Sequence, residues 1–115
     1  MPFINILTND QSSKKALLKL TPKLKVFLAK KLSCKEIKLK SSEIDINFIP
    51  SEYNHNDKEV ATIKIQIFAA SFPQRVKQQD KICRDVKTLI IKNESDIIGD
   101  YVKVWLVLTE LGHSF

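Results

Sequence analysis

The residue with the most unusual chemical potential in this chain is Pro2. The stretch Met1-Pro2-Phe3-Ile4-Asn5-Ile6-Leu7-Thr8-Asn9 carries a strand signal directly behind an initiator methionine and a proline. If Met1 is removed, Pro2 becomes a secondary amine pinned to the edge of a sheet, a group that a protein can use as a base. If Met1 stays, Pro2 is an amide nitrogen with no proton to exchange. The other residues that could do chemistry are mainly cations. Lys64 and Lys103 fall on the polar side of their strands, where either could approach the amine or an anion. Arg75, in the first turn of a second helix, has the planar fork that clamps a carboxylate, and its plainer reading is a solvated helix charge. Phe68 and Trp105 either shape a pocket or pack a subunit interface.

The elements that must position these groups fit one domain. The chain has 115 residues, 43% of them hydrophobic and 28% charged, which suits a single core and excludes a second. A core this small leaves apolar or edge surface that an oligomer would cover. No apolar run approaches the roughly 20 residues that cross a bilayer, and the N-terminus lacks the charged-then-apolar layout of a signal peptide, so a cytoplasmic location is expected. Cys34 and Cys83 are the only cysteines and have neither metal-site nor redox-motif spacing. They are expected to be thiols used for packing. His55 and His113 stand alone in sequence, and no metal site or cofactor is expected.

The net charge of +6 comes almost entirely from lysine, since Arg75 and Arg84 are the only arginines. Lys14, Lys15, Lys19, Lys23, Lys25, Lys30, Lys31, Lys35, Lys38 and Lys40 crowd a window whose only acid is Glu36. Such a helix can attract nucleic acid or an anionic membrane, and its plainer reading is a solvated face. A specific nucleic-acid reader would want arginine forks and stacking aromatics, and this window has only Phe27, so nucleic acid is not an expected partner.

Alternation and periodicity then divide the chain. Pro2 to Thr8 reads as a first strand, with Ile4, Ile6 and Thr8 on one side and Phe3, Asn5 and Leu7 on the other. Ser12 or Ser13 is the expected cap of a helix from Lys14 to Leu32, whose stripe is Leu17, Leu20, Leu24, Phe27, Leu28 and Leu32 and which bends at Pro22. Ser33 to Ser42 is a link, Glu43 to Ile49 a second strand, and Ser51 to Glu59, with Tyr53 and His55, a surface loop. Val60 to Phe68 is a third strand, with Ile63, Ile65 and Ile67 on its apolar side. Ser71 is the expected cap of a helix from Gln74 to about Ile91, whose apolar face is Val76, Ile82, Cys83, Val86, Leu89 and Ile90. After a polar link containing Gly99, Tyr101 to Thr109 is the fourth strand.

The order is β-α-β, loop, β-α-β, an internal duplication of architecture. Parallel strands within each unit need the helix as a right-handed crossover, so both helices belong on one face of a four-stranded mixed sheet. The other face mixes Asp45, Asn47, Lys64, Gln66 and Lys103 with Phe68 and Trp105. It is too polar for a dry core and is either open to water or turned to the interior of a wet assembly.

On these residues the whole chain resembles the tautomerase superfamily, with subunits like macrophage migration inhibitory factor and 5-carboxymethyl-2-hydroxymuconate isomerase. The resemblance rests on Met1-Pro2-Phe3-Ile4 opening a strand inside the duplicated unit and on two helices of matching placement. Leu20-Thr21-Pro22-Lys23-Leu24, the run Ile63 to Val86 with Gln79-Asp80, and the end Gly112-His113-Ser114-Phe115 look most like a small bacterial branch without an assigned activity. The resemblance implies an α/β (α+β) fold, a homotrimer whose sheets surround a central channel, and cofactor-independent keto-enol or double-bond isomerisation of a small carboxylate-bearing substrate. Pro2 would be the base, its charged form disfavoured by desolvation and cationic neighbours. Lys35 matches a pocket lysine of the cytokine-like branch. The hydroxyl and amide positions of the fourth strand are Lys103 and Trp105 here, and Ala69 and Ala70 replace a glycine-rich turn, so the chemistry is implied without the substrate. Two rival readings remain: a tautomerase fold that serves assembly or interaction without catalysis, and a ferredoxin-like binding module, which has the same element order.

Overall fold

The isoleucine alternation builds the sheet. The computed structural model describes residues 2–8, 11–50, 63–93 and 102–109. They form β1 (Phe3–Thr8), α1 (Gln11–Leu32), a 3-10 turn (Ser41–Glu43), β2 (Asp45–Pro50), β3 (Ile63–Ala70), α2 (Pro73–Lys77), α3 (Gln79–Asn93) and β4 (Val102–Thr109). The expected loop with Tyr53 and His55, the link with Gly99, and His113 lie outside the described residues.

The strands run in the order β2-β1-β3-β4. β1 pairs parallel with β2 and β3 parallel with β4, while β1 and β3 join the two units antiparallel. This sheet is the four-stranded mixed one expected from the duplicated pattern. A ferredoxin-like module would split each β-α-β unit by placing another strand between its two. Here each unit keeps its strands adjacent, which overturns that rival reading.

One face of the sheet is dry because period-2 alternation puts every second residue under the helices. Ile4, Ile6, Ile63, Ile65, Ile67, Val102 and Leu106 are buried there, against Leu17, Leu20, Leu24, Leu28 and Leu32 of α1 and Ile82, Val86 and Ile90 of α3. Each such side chain contributes about 1.5–3 kcal/mol when fully removed from water. Lys31 Nζ of α1 also reaches Asp85 Oδ2 of α3 at 3.0 Å, with Lys81 at 3.5 Å. The hydrogen bond from Lys31 is the main reason that the Asp85 carboxyl titrates below its ordinary value. A lowered carboxyl stabilises the fold above its unfolded pKa and loses that contribution as pH falls through the folded one. The pair is partly exposed, so the contribution stays under about 1 kcal/mol.

Several local expectations need correction. α1 begins at Gln11, so Ser12 and Ser13 lie inside the helix and not at the position before it. It continues through Pro22, whose ring removes the N–H that Leu18 O would accept. Leu18 and Pro22 are both exposed, on the side where water can satisfy that carbonyl. The second helix is two, α2 and α3, separated at Gln78, and the residue before α2 is Phe72, with Pro73 opening the helix. Ser71 is not the cap: its N–H donates to Thr109 O at 2.6 Å and extends the sheet. Val76 is exposed, and the buried position of α2 is Arg75.

Urea unfolding checks that last assignment. Val86→Ala is expected to cost about 2 kcal/mol, and Val76→Ala to stay within about 0.5 kcal/mol of the parent.

Candidate active site

The N-terminal ends of β1 and β2 lie beside the C-terminal ends of β3 and β4, and Pro2 sits at this end of the sheet. It is buried, and its carbonyl accepts the N–H of Asp45, at the head of β2, at 3.3 Å. On its other side, Phe3 faces Phe68 in the antiparallel register. One more step along that register sets Pro2 against Ala69. The rings of Phe3 and Phe68 stack at 4.8 Å with 13° between their planes, on the sheet face turned away from the helices.

Arg75 reaches the same end from above. Only 3% of it is exposed. Its Nε donates to Leu32 O and its Nη1 to Ala70 O, both at 2.9 Å, and its guanidinium carbon lies 4.9 Å from the Phe72 ring centroid. Leu32 ends α1, and a helix leaves its last carbonyls without internal partners. Ala70 ends β3. One side chain therefore satisfies the end of the first helix and the end of the third strand, which belong to different β-α-β units. Its third nitrogen, Nη2, is buried with no hydrogen-bond partner among the described residues. Burial pushes the Arg75 pKa down, and Cys34 and Glu36 pull it back up.

The link after α1 closes round this group. Ser33 Oγ donates to Ala29 O at 2.6 Å and accepts the Leu39 N–H at 2.9 Å, so a serine ends the helix where glycine often does. Cys34 and Ile37 exchange backbone hydrogen bonds across a tight turn, at 2.8 and 3.2 Å. The Lys35 N–H donates to Gln74 Oε1 at 3.2 Å, tying the link to the first turn of α2. The Cys34 side chain, then the Glu36 backbone, hydrogen-bond the Glu36 carboxyl and hold it below the usual carboxylate range, with smaller contributions from the charges of Lys35 and Arg75.

The sequence-predicted residues thus divide. Pro2, Phe68, Arg75 and the backbone of Lys35 gather at one end. Lys64 and Lys103 are register partners of each other, and Lys64 faces Leu7. They lie five residues along the sheet from Pro2, about 16 Å at the rise of a strand, so one chain alone does not bring them to the amine. Trp105 pairs with Gln66 and is 44% exposed. Trp105 and Lys103 instead help to line a depression of about 340 Å³ beside Cys83, Arg84 and Lys87. Close by, Gln79 Nε2 donates to Leu106 O at 2.7 Å, and burial pushes the Cys83 thiol pKa up, so that thiol stays protonated.

Sequence reasoning undervalued Arg75 and did not foresee its two carbonyl partners. The spacing held the signal, because residues 75, 79, 82, 86 and 90 share one helical stripe. Arg75→Met would strand the Leu32 and Ala70 carbonyls and is expected to lower stability by about 2–5 kcal/mol in urea unfolding. Arg75→Lys, with a single ammonium in place of the fork, should recover part of that loss. A methionine variant as stable as the parent would show that the two bonds contribute nothing.

With this geometry in place, comparison with solved structures places the fold. The sequence matches no protein-family model and no curated protein sequence. The structure is similar to the macrophage migration inhibitory factor-like protein of Entamoeba histolytica, with a TM-score of 0.69 at 13% identity, covering 95% of this chain and 89% of that one. It is similar to Pt0534 inactivated by 2-oxo-3-pentynoate, with a TM-score of 0.66 at 10% identity, covering 94% and 85%. It is also similar to a fused 4-OT symmetric trimer, with a TM-score of 0.62 at 12% identity, covering 94% and 87%.

Proposed function

From the tautomerase fold that this chain shares with those structures, we propose that it is a cofactor-independent tautomerase or isomerase that uses the amine of Pro2, freed by removal of Met1, as general base. The observation that carries the reading is the juxtaposition at the head of β1. Pro2 is buried, and the residue next along the facing strand is bound by a buried guanidinium with one nitrogen unpartnered among the described residues.

Desolvation and a neighbouring cation both disfavour an ammonium, so the amine is neutral at a lower pH than an exposed one. A neutral secondary amine takes a proton from the carbon next to a carbonyl and returns it to oxygen or to a more distant carbon. The spare Arg75 nitrogen, and Lys35 from the adjoining link, would hold the substrate carboxylate or the developing enolate oxygen. Phe68 would form an apolar wall. The substrate class is a small 2-oxo or dienol carboxylate, matching the oxo acid that inactivates Pt0534.

A homotrimer completes the site. The sheet face opposite the helices exposes Phe3, Trp105 and Val107 beside Asn5, Gln66, Lys64 and Lys103, a surface suited to a wet interior between sheets. Lys103 and Trp105 lie far from Pro2 within one chain, and in the proposed trimer they reach the pocket from a neighbouring copy.

Three measurements bear on the reading. Intact mass of the natural protein is expected to lack Met1, and full retention would rule out the amine mechanism. Ketonisation of phenylpyruvate enol or a 2-hydroxymuconate-type dienol should fall by about 10²-fold or more in Pro2→Ala, the scale of a lost general base; equal rates would remove Pro2 from the chemistry. Incubation with 2-oxo-3-pentynoate should add one reagent mass on Pro2, with the amine attacking the alkyne carbon and its proton passing to the neighbouring carbon.

A further inference from the structure

We propose that the outer face of α1 docks onto an anionic lipid bilayer. The inner face of the helix is used up by the core, through Leu17, Leu20, Leu24 and Leu28. Its outer face has an organisation of its own. Leu18, Pro22 and Val26 recur every four residues and are exposed, Leu18 to 48% and Val26 to 61%. A single exposed leucine is ordinary in a protein surface. Three apolar residues in one line along a helix, with nothing among the described residues over them, make a ridge.

Lysines border this ridge on both sides. At about 100° per residue, Lys14 and Lys25 fall to one side of the line and Lys19, Lys23 and Lys30 to the other, with Lys15 between. Residues 11–35 contain no Asp or Glu. Among the described residues the ion pairs are those of Lys31 and Lys81 with Asp85, so Lys15, Lys19 and Lys30 carry uncompensated charge. Lys23 is hydrogen-bonded to Asn93, at 2.9 Å.

A basic face with an aliphatic ridge fits a lipid surface better than it fits a nucleic acid. Lysine stems extend their ammonium groups to headgroup phosphates while short aliphatic side chains enter the interface. Nucleic-acid surfaces instead reward arginine forks and aromatic stacking, and the exposed part of this face has neither. The helix would lie on the membrane without crossing it, since no described helix is long and apolar enough to span one. Because α1 covers the dry side of the sheet, its outer face stays open in any assembly made through the other side. The inference is therefore independent of the catalytic reading.

The test is cosedimentation of the full chain with vesicles of phosphatidylcholine alone or with about one-third phosphatidylserine. Binding is expected only with phosphatidylserine and should weaken as salt shortens the screening length. Lys15→Gln, Lys19→Gln and Lys30→Gln should each weaken it about fivefold, and together about a hundredfold. Leu18→Ser with Val26→Ser, at unchanged charge, should cost at least a further severalfold. Val26→Trp supplies a readout that tolerates any folding defect of the serine variants: its emission should shift to the blue and be quenched by brominated lipid. Equal binding to the two vesicle types, or none to either, would overturn the proposal. So would Val26→Trp emission unchanged by vesicles, or tighter binding to duplex DNA than to the phosphatidylserine vesicles at the same salt.

Discussion

A buried guanidinium needs acceptors, and Arg75 finds them in two carbonyls that the fold would otherwise leave over. One ends α1 in the first unit, and the other ends β3 in the second. An unpaired buried carbonyl costs about 1–3 kcal/mol, and a charged donor without a partner costs more. The cheapest way to meet both demands is to bring the two ends to one side chain. That contact fixes where the first helix stops relative to the second unit, and so shapes the end of the sheet at which Pro2 sits. It also leaves a third nitrogen of the same group buried and unpartnered among the described residues. In the proposed mechanism that nitrogen is the donor for a substrate oxygen, so one residue would serve as both structural tie and ligand.

Much of this arrangement was legible in the alternation of isoleucines. Ile4 and Ile6, then Ile63, Ile65 and Ile67, mark the buried face of β1 and β3, and the structure puts those two strands side by side at the centre of the sheet. The duplicated order gave the helices a common face, but a right-handed crossover can also skip a strand, so the adjacency of the two strands in each unit is seen only in the pairing register. The misreadings share a cause, which is trust in residue type over position. Ser12, Ser13 and Ser71 are capping types that sit elsewhere than at caps. Side-chain chemistry alone marks Val76 as core and Arg75 as a solvated charge or a carboxylate clamp, although the stripe through Ile82, Val86 and Ile90 runs through Arg75. Alternation correctly placed Lys64 and Lys103 on the polar face. It could not say how far along the sheet they lie from Pro2, because pairing register depends on partners that sequence spacing does not display.

The two sides of the molecule differ in character. The dry face of the sheet is closed by α1 and α3. The opposite face is half polar and half aromatic, with the Phe3–Phe68 stack near the proline end and Lys64 beside Lys103 at the other. Such a surface suits a solvated channel between copies better than an apolar contact. The lysine-bordered outer side of α1 points away from it, so the proposed assembly, catalysis and membrane docking would draw on different residues.

The state of the Pro2 nitrogen decides the central claim, and NMR of protein with ¹⁵N-labelled proline observes it directly. The expected result is a Pro2 amine that titrates below the ordinary α-amino range of about 7.7–8.0, as a buried amine beside a guanidinium should. A Pro2 resonance without titration would mean an acylated nitrogen still carrying Met1, and titration at or above the ordinary range would mean an amine unaffected by burial and cation. Either would contradict the mechanism.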